Sequence, residues 1–230
     1  MEAIILAGGL GTRLQSVLHG LPKPMAAIGS QPFLALLLDS LVQQHVQRVI
    51  LSVGYRYEAI QSYFGSSYRS CELVYAIESE PLGTGGAIRQ ALQQAESETV
   101  CIMNGDTMFQ VPLEAMIHFH QVQQADLTLA LKPMANFDRY GNVIVSGTRI
   151  TRFEEKQYCS QGNINGGVYL LNRSRFEQFN LPAKFSFETD FLQQRLDQLQ
   201  IHGFVSDRYF IDIGIPEDYE KAQRELSITV

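Results

Sequence analysis

The stretch that sets the fold is Leu6-Ala7-Gly8-Gly9-Leu10-Gly11-Thr12-Arg13-Leu14, which directly follows an apolar run typical of a buried strand. Its three glycines allow the backbone to turn sharply and to bring N–H groups close to phosphate oxygens. Arg13 adds a planar, permanently charged group that suits phosphate. A plain turn from strand to helix needs only one glycine, so the stretch predicts a phosphate-binding loop.

Two better-known phosphate-binding loops fit this stretch poorly. The dinucleotide-binding pattern G-x-G-x-x-G fails at its sixth position, because Leu14 stands where a glycine would permit close packing of the helix. A P-loop would end in Gly-Lys-Ser or Gly-Lys-Thr, and neither follows here. The loop therefore indicates a phosphorylated ligand that is held in a different way.

Outward from this loop, short apolar runs alternate with helical patterns over the first half of the chain. The sequence predicts strands at 3–7, 48–53, 72–77 and 99–103, and helices at 33–45, 57–64 and 87–95. This order is typical of a Rossmann-like, three-layer α/β/α fold with a mixed, mostly parallel sheet. Ligands of such sheets bind beyond the carboxyl ends of the strands.

The second half of the chain continues with shorter strands. We predict strands at 127–131, 143–145, 150–153 and 167–171, and helices at 188–199 and 216–226. The sequence contains no linker, repeat or low-complexity stretch between the halves. We therefore expect a single domain over residues 1–230.

Composition and charge exclude several classes of protein. The net charge is −6 and the basic residues are scattered, which argues against nucleic acid as a partner. The first residues lack a basic region, and no segment is long enough to span a bilayer, so we expect no membrane partner and a cytoplasmic location. Cys71, Cys101 and Cys159 are too widely spaced to indicate a zinc site or a disulfide framework.

Three charged residues add to the glycine loop. Lys23 stands between two prolines, which stiffen the backbone and would fix the position of its ammonium group. Asp106 follows a predicted buried strand and a glycine, and Asp212 precedes a glycine. Carboxylate oxygens are ligands that Mg²⁺ prefers, although a single aspartate in a turn is more often structural.

The glycine loop together with Pro22-Lys23-Pro24 resembles the signature of the sugar-phosphate nucleotidyltransferase family. Further segments that are similar to family motifs follow in the family's order, at 81–87, 104–106, 153–156, 165–169, 187–190 and 212–219. The resemblance implies the nucleotide-diphospho-sugar transferase type of fold, with a nucleotide-binding half of about 1–110 and a sugar-phosphate-binding half of about 111–230. It also implies an enzyme that transfers NMP from an NTP to a sugar 1-phosphate and releases pyrophosphate.

The resemblance assigns roles to individual residues. The implied catalytic residues are Arg13 and Lys23, and the implied Mg²⁺ ligands are Asp106 and Asp212. The implied nucleotide-binding residues are Leu6, Ala7, Gly8, Gly9, Gly11, Thr12, Arg13, Lys23, Pro81, Leu82, Gly83, Thr84, Gly85, Asn104, Gly105 and Asp106. The implied sugar-phosphate-binding residues are Tyr140, Gly141, Glu154, Lys156, Asn165, Gly166, Glu188 and Asp212. For Tyr140 and Gly141, a plain turn is an equally good interpretation.

The chemistry explains why these residue types are needed. The attacking phosphate monoester is already largely ionised near neutral pH, because its second pKa is about 6, so no strong general base is required. Arg13 and Lys23 would carry the charge of the triphosphate, and Lys156 that of the sugar phosphate. Positioning and electrostatic stabilisation supply most of the catalysis in such transfers.

Four segments, at 3–6, 22–26, 32–34 and 51–55, are most similar to the family members that use GTP and D-glycero-α-D-manno-heptose 1-phosphate. This resemblance implies a GDP-heptose product for bacterial surface polysaccharide. The alternatives are mannose 1-phosphate, N-acetylmuramate 1-phosphate or phosphocholine as the acceptor, with GTP, UTP or CTP. A catalytically silent subunit that binds a nucleotide sugar is a further alternative. The sequence leaves open the oligomeric state, the number of metal ions and any feedback regulation.

Overall fold

The computed structural model describes residues 1–9, 11, 14, 18 and 20–226. Its strands are β1 (Glu2–Leu6), β2 (Ala27–Ile28), β3 (Gln31–Pro32), β4 (Arg48–Val53), β5 (Ser67–Tyr68), β6 (Cys71–Ile77), β7 (Thr99–Asn104), β8 (Thr107–Phe109), β9 (Leu127–Phe137), β10 (Val143–Ser146), β11 (Arg149–Phe153), β12 (Cys159–Asn172), β13 (Ile201–Val205) and β14 (Phe210–Asp212). Its helices are α1 (Phe33–Gln43), α2 (Tyr57–Phe64), α3 (Gly83–Leu92), α4 (Leu113–Val122), α5 (Arg173–Glu177) and α6 (Pro216–Leu226). A π-helix covers Phe187–Leu192, and short 3-10 helices cover Lys23–Met25 and Gln193–Arg195.

Ten strands form one mixed sheet in the order β10-β11-β13-β9-β12-β7-β1-β4-β6-β5. The four central strands of the first half, β7, β1, β4 and β6, are parallel, with Ile4 opposite both Ile50 and Ile102. Strand β12 then joins antiparallel to β7 on one side and to β9 on the other. The mixed sheet predicted from the sequence is confirmed: four neighbouring parallel strands come from the first half of the chain, and in the second half β13 also pairs parallel with β9.

Both faces of the sheet are covered. Along β1, the buried Ala3 and Ile5 pack in one hydrophobic cluster, whereas Ile4 packs in the other. Alternating side chains of a strand point to opposite faces, so the two clusters lie on opposite sides of the sheet. This arrangement accounts for the continuous apolar runs of the parallel strands.

Two predicted helices differ clearly from the structure, and helices α4 and α5 were not predicted. Helix α3 begins at Gly83 instead of residue 87, because the glycines permit Gly83 a φ of 72° and let the backbone of Phe185 approach closely. The helix predicted at 188–199 is instead the π-helix followed by a 3-10 turn. Among the described residues, no helix is both long and apolar enough to cross a membrane.

Candidate active site

A cleft of about 500 Å³ lies at the carboxyl ends of the four parallel strands. Strand β1 leads into Ala7, Gly8 and Gly9, and β7 leads into Gly105 and Asp106. The described residues that line the cleft are Leu6, Ala7, Gly8, Gly9, Gly11, Lys23, Pro24, Ser52, Glu78, Pro81, Gly83, Thr84, Ala87, Asn104, Gly105 and Asp106. The cleft therefore gathers the glycine loop, the P-K-P segment and the strand-end aspartate in one place.

Lys23 lies at the end of this cleft, in a 3-10 turn that begins after Pro22. Its side chain is largely buried, and its Nζ lies 2.5 Å from Asp106 Oδ2 and 3.9 Å from Asp212 Oδ1. One ammonium group thus faces two carboxylates. Because the prolines on either side limit the backbone, this ammonium is held in place by the chain as well as by its partners.

Asp106 and Asp212 are brought together by a separate two-stranded ribbon of β8 and β14. In this ribbon Thr107 lies opposite Asp212, and the Ile213 N–H donates to the Asp106 carbonyl at 2.9 Å. Thr107 Oγ1 also donates to Asp106 Oδ1 at 3.1 Å. The pairing fixes two carboxylates that are far apart in the sequence.

The surroundings of Asp212 disfavour its ionised form. Burial raises the pKa of this carboxyl, and the charge of Asp106 raises it further, while Lys23 and the Gly214 backbone lower it; its pKa remains above the ordinary value. Its Oδ1 atom is buried and accepts no hydrogen bond from the described residues. A buried carboxylate oxygen without a donor is well suited to bind a cation.

A second cavity of about 280 Å³ adjoins the first, and the two share Asn104. The described residues that line it are Asn104, Thr107, Tyr140, Gly141, Lys156, Asn165, Gly166, Gly167, Tyr169, Glu188, Phe210 and Asp212. Asp212 therefore faces this cavity while it approaches Lys23 of the first. Lys156 is exposed at the second cavity and can meet an anion there.

Close packing against neighbouring residues explains two of the glycines. A Cβ at Gly105 would lie 2.5 Å from the Leu6 carbonyl oxygen, and a Cβ at Gly166 would lie 2.3 Å from the ring of Phe109. The Gly105 N–H donates to Leu6 O at 2.9 Å, which joins the ends of β1 and β7. Only glycine fits these positions without moving the surrounding residues.

The structure brings most of the predicted site residues to the two cavities. Of the implied nucleotide-binding set, Leu82 and Gly85 do not line the first cleft, and Thr12 and Arg13 lie outside the described residues. Of the implied sugar-phosphate set, Glu154 does not line the second cavity. It accepts hydrogen bonds from Asn142 at 2.9 Å and Arg152 at 2.6 Å. The other implied residues line the expected cavity.

Sequence reasoning missed several lining residues, of which Glu78 is the most informative. This carboxylate follows β6, and its Oε2 accepts a hydrogen bond from the Leu82 N–H at 3.0 Å. Burial raises the pKa of Glu78, and the Leu82 N–H only partly offsets this, so the pKa lies above the ordinary value. The signal that could have identified it is its position at the carboxyl end of a parallel strand, which it shares with Asp106.

Known proteins resemble this chain along nearly its whole length. The family model for nucleotidyl transferases matches residues 2–228. The chain is 55% identical to the D-glycero-alpha-D-manno-heptose 1-phosphate guanylyltransferase of Aneurinibacillus thermoaerophilus, over 98% of each protein. It is 46% identical to the enzyme of the same name from Campylobacter jejuni, over 95% of this chain and 97% of the relative.

A solved structure gives the same result for the fold. The crystal structure of HddC from Yersinia pseudotuberculosis complexed with GMP-PN matches with a TM-score of 0.87 and 38% sequence identity. The match covers 98% of this chain and 99% of the solved chain. The predicted fold class is thereby confirmed. The cleft at the strand ends and these similarities together lead to one conclusion: the chain belongs to the nucleotidyl transferase family.

Proposed function

We propose that the chain is a guanylyltransferase that joins GMP from GTP to D-glycero-α-D-manno-heptose 1-phosphate and releases pyrophosphate. The observation that carries this proposal is the 55% identity to a curated enzyme of that name, with 98% of both chains covered. The product would be a GDP-heptose, an activated sugar for bacterial surface polysaccharide. We place the reaction in the cytoplasm, because both substrates are charged phosphates that do not cross membranes unaided.

The strand order sets the direction in which a nucleotide would lie in the first cleft. Lys23 and Asp106 mark the end beside β7, where the phosphates would bind. Glu78 follows β6, which is three strands away in the order β7-β1-β4-β6. With neighbouring strands about 4.8 Å apart, the two ends of the cleft are separated by about 14 Å. The base would therefore lie near Glu78.

A carboxylate at this position favours guanine among the common bases. Guanine presents two adjacent donors, N1–H and N2–H, to a carboxylate, whereas uracil and thymine present one donor between two acceptors. Gly8 leaves room for the carboxylate, because a Cβ there would lie 2.6 Å from Glu78 Oε1. ITP lacks the N2 amino group, so it should be a weaker substrate than GTP, and Glu78→Gln should reduce that difference.

Asp106 and Asp212 are the residues that would hold Mg²⁺. Mg²⁺ usually takes one or two carboxylates and completes its shell with phosphate oxygens and water. The unpartnered, buried Oδ1 of Asp212 fits this need. Among the described residues no group of three or more potential metal ligands occurs, which agrees with a site that uses substrate oxygens. When bound, Mg²⁺ would neutralise negative charge on the phosphates.

The chain's own residues would do the rest by positioning and charge. Lys23 would stabilise the charge that develops on the departing pyrophosphate. The backbone of Gly9 and Gly11 would approach the phosphates closely, since neither residue has a side chain to interfere, whereas Gly8 packs against Glu78. In the second cavity, Lys156 would hold the sugar phosphate. The attacking oxygen of that phosphate would face the α-phosphate of the nucleotide near Asn104, which lines both cavities.

The test is pyrophosphate release with Mg²⁺, using GTP, CTP, UTP, ATP and dTTP in turn. Each nucleotide is paired with D-glycero-α-D-manno-heptose 1-phosphate and with mannose 1-phosphate. We expect turnover with GTP and the heptose phosphate and much less with any other pair. Turnover with a different pair would refute the named substrates but keep the enzyme class. No turnover by protein that still binds a nucleotide would favour the regulatory-subunit alternative.

A further inference from the structure

A single hydroxyl group connects the two cavities. Thr84 lines the first cleft, and its Oγ1 donates to Oε2 of Glu188, which lines the second cavity, at 2.7 Å. The Phe187 N–H donates to the same hydroxyl at 2.8 Å. Because the hydroxyl accepts from the backbone, its own hydrogen is directed at Glu188. The carboxylate is therefore positioned from the nucleotide side of the site.

The backbones of the two segments are joined as well. The Phe185 N–H donates to Leu82 O at 3.1 Å, and the Gly85 N–H donates to Phe185 O at 3.0 Å. A Cβ at Gly85 would lie 2.1 Å from the Phe185 ring, so no space separates the helix start from the segment before Glu188. The nucleotide loop and this segment must therefore shift together.

On its far side Glu188 meets donors of the second cavity. Tyr169 Oη donates to Glu188 Oε1 at 3.4 Å, and Asn165 Nδ2 donates to Tyr169 Oη at 2.9 Å. Burial and the charge of Glu188 raise the pKa of Tyr169 well above the ordinary value, so the phenol remains a donor. Ser186 Oγ adds a third contact to the carboxylate, at 3.2 Å from Glu188 Oε2. Thr84 is the contact that belongs to the nucleotide cleft.

We propose that Thr84 is a positioning residue through which bound nucleotide prepares the sugar subsite. A nucleotide packed against residues 81–84 would restrict the start of helix α3, and through the Thr84 hydroxyl this restriction would reach Glu188 and hold it in the orientation that accepts hydrogen bonds from sugar hydroxyls. The sugar phosphate then binds more tightly to the nucleotide complex than to the free protein. By linkage, the sugar phosphate strengthens nucleotide binding by the same factor. This inference rests on the proposed function.

The first experiment compares Thr84→Val, which removes the hydroxyl at nearly constant shape, with Thr84→Ser, which keeps it. We expect Thr84→Val to raise the KM for the sugar phosphate about tenfold or more, because a hydrogen bond to a charged group is lost. The Kd for a non-reacting GTP analogue, measured without sugar phosphate, should change less than about threefold. Thr84→Ser should restore the KM.

The second experiment measures the coupling itself by calorimetry. The Kd of the sugar phosphate is determined with and without the GTP analogue, for the unmodified protein, Thr84→Val and Ser186→Ala. Ser186→Ala is the control, since it removes a hydroxyl from Glu188, together with the cap on the Thr189 N–H, but Ser186 does not line the nucleotide cleft. Thr84→Val should abolish the difference between the two Kd values, whereas Ser186→Ala should weaken both and preserve the difference.

Three results would overturn the inference. The first is a sugar-phosphate KM that does not change in Thr84→Val. The second is a loss of GTP-analogue affinity that matches the loss in KM, which would make Thr84 an ordinary nucleotide contact. The third is an unmodified protein whose sugar-phosphate Kd is the same with and without the analogue. Absence of turnover in the unmodified protein would instead refute the proposed function, and the binding experiment separates the two cases.

Discussion

Gly105→Ala should slow turnover by moving Asp106. Gly105 connects β7 to Asp106, and a Cβ at this position would lie 2.5 Å from the Leu6 carbonyl oxygen and 3.1 Å from its carbonyl carbon. Real Cβ atoms essentially never approach another heavy atom within 3.0 Å. The ends of β1 and β7 would therefore have to separate by about half an ångström to admit the methyl group.

That displacement acts directly on the charged centre. Asp106 is the next residue, and its carboxylate lies 2.5 Å from Lys23 Nζ. A misplacement of about 1 Å in a site that works by positioning can cost about 100-fold in rate, so half of that distance should cost about tenfold in kcat. The crowding should also lower the free energy of unfolding by about 1–3 kcal/mol.

The assay is steady-state pyrophosphate release with GTP and the heptose phosphate, alongside thermal unfolding. Gly54→Ala is the matched control, because Gly54 also follows a parallel strand, but its nearest neighbour to a new Cβ is Gly8 O at 3.4 Å. Gly54→Ala should keep kcat within about twofold, since 3.4 Å is an ordinary contact. A Gly105→Ala protein with unchanged kcat and unchanged Tm would refute the reasoning, because the methyl group would then have found space that the structure does not contain.

Three more predictions concern charges and thiols. Lys23→Ala should lower kcat by about 10²–10³-fold, since an oxyanion would lose its partner in the transition state; steady-state kinetics will show full activity if Lys23 is only a loop lysine. Burial raises the pKa of Glu2, but hydrogen bonds from neighbouring backbone N–H groups and Arg48 lower it more, so it lies below 4.5. The stabilisation by Glu2 is therefore complete above pH 4.5 and lost as the pH falls through the lowered value. Glu2→Gln should lower the free energy of unfolding, measured in urea at neutral pH, by about 1–3 kcal/mol. An equally large decrease at pH 3 would contradict the stabilisation assigned to ionised Glu2. In native protein only Cys159 should react with a thiol reagent, because the other two cysteines are buried and burial raises the pKa of Cys101 to about 12; a second reactive thiol would contradict this.

The parts of the fold that the sequence predicted well have local causes. Strand β4 was predicted with the bounds that the structure gives, because nearly all its side chains are buried and it is bounded by Gln47 and Gly54. Helices α2 and α6 were also predicted at their observed positions. In each case the pattern of apolar residues, a continuous run in β4 and helical spacing in α2 and α6, is visible without knowing what the element packs against.

Of the elements that the sequence did not predict, helix α4 and strand β13 were missed because their burial depends on distant partners. Helix α4 buries His120, which a sequence analysis counts as polar. In the fold, His120 pairs with Thr128 Oγ1 at 2.8 Å and with Asn172 Oδ1 at 3.1 Å. Strand β13 contains a histidine and a glycine that interrupt its apolar pattern, and it pairs with β9 far away in the sequence. The hydrogen bonds that satisfy His120, and the pairing of β13 with β9, cannot be recognised before the tertiary contacts are known.

The candidate site shows the same division. The glycine loop, Lys23 and Asp106 were predictable, because their chemistry is expressed in short motifs of the first half. Glu78 stands just outside such a motif, and it is the strand order that places it at the cleft, beyond the end of β6. Glu154 was assigned to the sugar phosphate from a motif, but in the structure it accepts hydrogen bonds from Asn142 and Arg152. Motifs name residue types, whereas pairing decides which side chains face the cavity.

The way in which the carboxylates meet favours the prediction of a single domain. Lys23 and Asp106 belong to the first half of the chain, but Asp212 reaches them only because β14 pairs with β8. The same is true of the sheet, since β7, whose four inner residues are buried, is covered on one edge by β12 from the second half. A fragment that ended near residue 110 would expose that edge and would lack the buried carboxylate oxygen at the proposed Mg²⁺ site. Neither half supplies a complete site, so the sheet that joins them is also what assembles the charges.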